Sequence, residues 1–146
     1  IHGISTQLAK KIGVDINFVL NKFHEDLKKS QFICGHNLNF DEKIMGSEYL
    51  RSNGNNPLQD FPKIDTCTEE TAGICMLKGG RGRKFKLPTL MELYTHLFNE
   101  KFESAHNASA DVEATALCLF KLLKDQKIHP NSLSTHLDMI FHCYRH

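Results

Sequence analysis

His106-Asn107-Ala108-Ser109-Ala110-Asp111 runs directly into the apolar segment Val112 to Leu123. At the mouth of a helix, such a turn sets an imidazole and a carboxylate on the same side of the chain. There they can share a divalent ion, and the positive end of the helix attracts the carboxylate. A second phrase, Gly35-His36-Asn37-Leu38-Asn39-Phe40-Asp41, also ends in an aspartate at a helix start. It follows the β-type run Gln31 to Cys34, and open α/β sheets carry their active groups beyond the carboxyl ends of strands. Hard cations such as Mg²⁺ prefer carboxylates, and a histidine titrating near neutrality can take a proton from water. Taken singly, each piece is weak, because an aspartate at a helix start is most often a cap or a dipole partner.

Outward from these phrases the chain alternates helices with short strands. Ser5 or Thr6 caps a helix through Lys11 that Gly13 stops. Asp15 caps a longer one whose apolar face is Ile16, Val19, Leu20, Phe23 and Leu27. Phe40, Ile44, Met45 and Tyr49 mark a helix closed by Asn53-Gly54. Lys63 to Cys67 is a second strand, and Thr68 to Met76 a helix with Thr68 as its cap. Pro88 and Thr89 open another, with Leu90, Leu93, Tyr94, Leu97 and Phe98 on one face, and the last strong helix covers Ala108 to Lys124. The tail from His129 to His146 contains Pro130 and four histidines. Strands separated by helices indicate an α/β layer arrangement. Two short strands are too few, since these helices need a sheet of about five to cover.

Composition sets the limits. A chain of 146 residues holds one ordinary domain, and 40% hydrophobic with 24% charged residues is a globular composition. Its apolar runs are too short to span a bilayer, so no membrane partner is expected. The widely spaced cysteines form no Cys-x-x-Cys pair, which favours buried thiols in a reducing cytoplasm over structural zinc. Net charge is only +1. Locally, Lys78, Arg81, Arg83, Lys84 and Lys86 are interleaved with glycines and no acid. Arg81, Arg83 and Lys84 are candidate phosphate contacts, although a plainly solvated loop is the simpler reading.

Order, spacing and context together resemble the DEDDh 3′–5′ exonucleases, the group that includes the proofreading epsilon subunit of bacterial replicative polymerase. His2-Gly3-Ile4 looks like the family's substrate-lining turn. Gly35-His36-Asn37 with Phe40-Asp41 looks like its second exonuclease motif, and His106-x-Ala108-x-x-Asp111 like its third. Leu87-Pro88-Thr89-Leu90 with Glu92-Leu93-Tyr94 reads as the helix before that third motif. The resemblance implies an RNase H-like exonuclease fold over residues 1–125, with 126–146 as a tail. It also implies two Mg²⁺ or Mn²⁺ ions about 3.5–4 Å apart. His106 would be the general base, Asp111 a direct ligand and Asp41 the anchor of the second ion. His2 and Phe40 would contact the terminal nucleotide, with Asn37 beside them chiefly shaping the loop. The implied partner is a DNA 3′ end, single-stranded or frayed, and a DNA polymerase subunit is a further candidate.

One departure stands out. The family's first motif, Asp-x-Glu on its first strand, precedes the turn at which this chain begins. The Asp-x-Glu here, Asp111-Val112-Glu113, already belongs to the third motif. The expectation is a fragment missing about three amino-terminal strands, with little or no activity of its own. The alternative is a non-catalytic module of the same fold that binds nucleic-acid ends or a polymerase. A His/Cys metal site on the tail (His129, His136, His142, Cys143, His146) lacks ligand spacing.

Overall fold

A computed structural model describes residues 4–79, 82, 84–103, 107–125, 127 and 128. Within them lie six helices and two strands: α1 (Thr6–Ile12), α2 (Ile16–Leu27), β1 (Ile33–Gly35), α3 (Leu38–Asn53), β2 (Lys63–Asp65), α4 (Glu69–Cys75), α5 (Leu90–Phe98) and α6 (Ala108–Lys124). The strands pair in parallel, Cys34 opposite Ile64. Parallel strands need a crossover, which α3 and the following loop provide. The fold is therefore mixed α/β, with a two-stranded sheet among the described residues.

Local chemistry sets the helix limits. Ser5 Oγ accepts from Leu8 N and Asp15 Oδ1 from Asn17 N, so both expected caps are in place. Thr68 and Thr89 each close a capping box. Gly54, at φ 72°, ends α3 in the left-handed conformation that glycine adopts without strain.

Strand limits differ from the sequence reading. β1 spans Ile33–Gly35 rather than Gln31 to Cys34, because pairing with the β2 segment, not apolar character, decides it. Ile33 N donates to Pro62 O, and Thr66 N to Gly35 O, each at 2.9 Å. Gly35 stays inside the strand, where a Cβ would meet Leu38 Cδ1 at 2.6 Å. β2 ends at Asp65 instead of Cys67, since the Asp65 carboxylate turns back to accept from Cys67 N.

The core lies where α4, α5 and α6 close over the sheet. Leu93, Cys118 and Leu122 are fully buried there, with Ile64, Tyr94 and Leu119 around them. α2 packs on α3, and Tyr49 Oη donates to Leu20 O at 2.7 Å across that contact. The expected apolar face of α2 is only partly covered. Leu20 and Leu27 are buried while Ile16 and Val19 stay exposed, because α3 reaches only one side of it. α1 buries none of its residues. Among the described residues, no helix is long and apolar enough to cross a membrane.

Candidate active site

A cleft of about 1100 Å³ runs along β1 and is lined by the start of α3, the start of α5 and one face of α6 from Ala108 to Phe120. Leu38 and Asp41 line it from α3, Thr89 and Leu90 from α5, Ala108 and Asp111 from α6. The starts of all three helices line it, and their first backbone N–H groups are engaged by side-chain caps: Asp65 at α3, Thr89 at α5 and Asn107 at α6.

Asp41 and Asp111, far apart in the chain, line this one cleft. Asn107 caps α6 by accepting from Ser109 N at 3.1 Å, which fixes the turn that holds Asp111. A third carboxylate, Glu42, also lines the cleft but is paired with Lys63 Nζ at 3.1 Å. Carboxylates are the right donor class for Mg²⁺, yet two of them do not make a site. Among the described residues, no group of three or more His, Cys, Asp and Glu is arranged to hold a metal ion. The described residues do not, by themselves, fit the two ions that the family resemblance implies.

The start of α3 is held by tertiary contacts. Asn37 begins it at φ 64° and its side chain makes no capping bond. Asp65, from the end of β2, does that work instead. Its Oδ1 accepts from Asn37 N at 2.8 Å and its Oδ2 from Leu38 N at 2.9 Å. His36 braces the same junction, with Nδ1 2.9 Å from Thr66 Oγ1 and Nε2 2.9 Å from Pro88 O. Burial pushes the His36 pKa below its ordinary value, against smaller opposing effects from the Pro88 carbonyl and Asp65. Burial also pushes the Cys34 and Cys118 thiols up to about 12, so neither is a nucleophile at neutral pH.

The remaining expected site residues either are not among those lining the cleft or lie outside the described residues. Phe40 is 61% exposed on α3 and outside the cleft lining, as is Asn37. Lys84 lies 5.2 Å from the Phe85 ring centroid and is not among the residues lining the cleft, and Lys86 pairs with Glu92 at 2.6 Å. His2, Arg81, Arg83, His106 and the tail histidines with Cys143 lie outside the described residues. The sequence reading missed His36, Asp65 and Thr66 as organisers of the site. His36 meets Thr66 and Pro88 across 30 and 52 residues of chain, beyond the reach of any local pattern. Compared with known proteins, the chain matches no family model and no curated protein.

Proposed function

We propose that this cleft is part of the active site of a DEDDh-type 3′–5′ exonuclease with an RNase H-like fold, acting on DNA 3′ ends with Mg²⁺ or Mn²⁺. The observation that carries this reading is that Asp41 and Asp111, each in the first turn of its helix, line the same cleft. The motif resemblance pairs the same two residues. A polymerase partner and a proofreading or repair role follow from the resemblance alone.

Among the described residues, the edge of β1 away from β2 has no partner strand, and this supports an incomplete site. In a parallel ladder, alternate residues turn both backbone polar groups to the same side. Ile33 and Gly35 face β2, so Cys34 turns its N–H and C=O to the opposite edge, where it lines the cleft beside Phe32 and Leu119. A further strand seated on that edge would satisfy those groups and could present the two carboxylates that the site lacks. A non-catalytic end-binding module is the reading that remains if no such carboxylates are supplied.

Paramagnetic line broadening tests the assignment. Mn²⁺ titrated into the ¹⁵N-labelled chain should bind weakly and broaden the amides around Asp41 and Asp111 first, and Asp111→Asn should abolish that selectivity. Preferential broadening at other residues would refute the site.

A further inference from the structure

One imidazole joins three separate segments at the back of the cleft. His36 follows β1, Thr66 follows β2, and Pro88 precedes the cap of α5. Thr66 is fully buried, and its Oγ1 also lies 3.1 Å from Gly35 O. Counting protons across these contacts gives two consistent arrangements. A carbonyl has no proton to give, so Nε2 must carry the hydrogen that it donates to Pro88 O. In the neutral ring Nδ1 is then a lone pair, and it accepts from the Thr66 hydroxyl. In the imidazolium, Nδ1 becomes a donor to Thr66 Oγ1, and the Thr66 hydrogen swings to Gly35 O. Gly35 O keeps its bond from Thr66 N in both states. A change of charge is absorbed by rotating one hydroxyl hydrogen, with no heavy atom displaced.

We propose that His36 is a positioning residue for the Asp41 arm of the cleft and that the Thr66 hydroxyl keeps it engaged in both protonation states. The route to Asp41 is short: His36 fixes the strand end, Asp65 caps Asn37 and Leu38, and Asp41 stands in the first turn of α3. The charged and titratable groups around the ring are Asp65 from β2, the Cys34 and Cys67 thiols, and, lining the same cleft, Asp41, Glu42, Lys63 and Asp111. Only the role given to Asp41 rests on the exonuclease reading; the tautomer and its relay do not.

Two-bond ¹H–¹⁵N spectra of the His36 ring, recorded across pH, test the proposal in the intact chain. The expected result is the Nε2–H tautomer at pH above about 7, titrating below the ordinary histidine value near 6.5. Thr66→Val removes the relay. A buried N–H of a cation loses more without its acceptor than a neutral lone pair loses without its donor, so the His36 pKa should fall by about half a unit or more. In that variant the Asn37, Leu38 and Asp41 amides should shift along with the ring titration. Thr66→Ser, which keeps the hydroxyl, should restore the unmodified pKa and quiet those amides. An Nδ1–H tautomer in the unmodified chain would overturn the proposal even if Thr66→Val failed to fold. Equal titration in the Val and Ser variants would overturn it too. A lack of nuclease activity would leave all of these ring spectra unchanged.

Discussion

The two faces of α6 differ sharply. Ala114, Cys118 and Leu122 are sealed against α5 and the sheet, while Val112 is 70% and Phe120 44% exposed. A helix that is apolar on both faces belongs to a structure that covers both. β1 repeats the asymmetry, with one edge paired to β2 and the other lining the cleft. The packed side is a finished core. The open side carries the carboxylates and more apolar surface than the described residues cover.

The contrast is most easily broken on the packed side. Leu122→Ala leaves a cavity in a fully buried position and should cost about 2–5 kcal/mol in urea denaturation. Asp65→Ala removes the acceptor for three backbone amides and should cost about 1.5–3 kcal/mol. Chemical-shift changes should concentrate at the start of α3, and a uniform change over the chain would contradict the capping role.

The His36 pKa adds a pH dependence with a definite sign. Its folded value is depressed, so the unfolded chain binds the proton more readily. The associated stability is fully present above the ordinary value near 6.5 and is lost as pH falls through the folded one. Urea midpoints should therefore drop between pH 7.5 and 5.5 by an amount that shrinks in His36→Gln. On the open side the effects are smaller. Phe120→Ala should cost about 1 kcal/mol or less, although it removes a larger side chain than Leu122→Ala does. A loss as large as that of Leu122→Ala would show both faces of α6 to be equally packed. Smallest of all, charge reversal at Arg81 and Arg83 should weaken single-stranded DNA binding and lower the salt slope by about 1 for each phosphate no longer neutralised. An unchanged slope would make the loop a solvated one.

Most helix starts were legible in the sequence because caps are local: Ser5, Asp15, Thr68 and Thr89 each bond within three residues, whereas α3 takes its cap from Asp65, 28 residues from Asn37. Strand limits were not, since β1 takes its ends from a partner about 30 residues away. The burial of α2 was half legible, because periodicity marks an apolar face but does not say how much of it a neighbour reaches. Asp41 and Asp111 could be named from their phrases, and the fold brings them to one cleft. The His36, Asp65 and Thr66 junction that organises one wall of that cleft has no local signature.

Hydrolysis of a 3′-labelled DNA single strand with Mn²⁺ tests the central claim most directly, comparing these 146 residues alone with the same chain supplied with a synthetic peptide that carries an Asp-x-Glu strand. The chain alone should cleave little. With the peptide it should release nucleotides one at a time, and Asp41→Asn, His106→Ala or Asp111→Asn should slow that release at least about 100-fold. Robust cleavage by the chain alone, abolished in His106→Ala, would contradict an incomplete site, and an inert mixture would contradict the exonuclease reading itself.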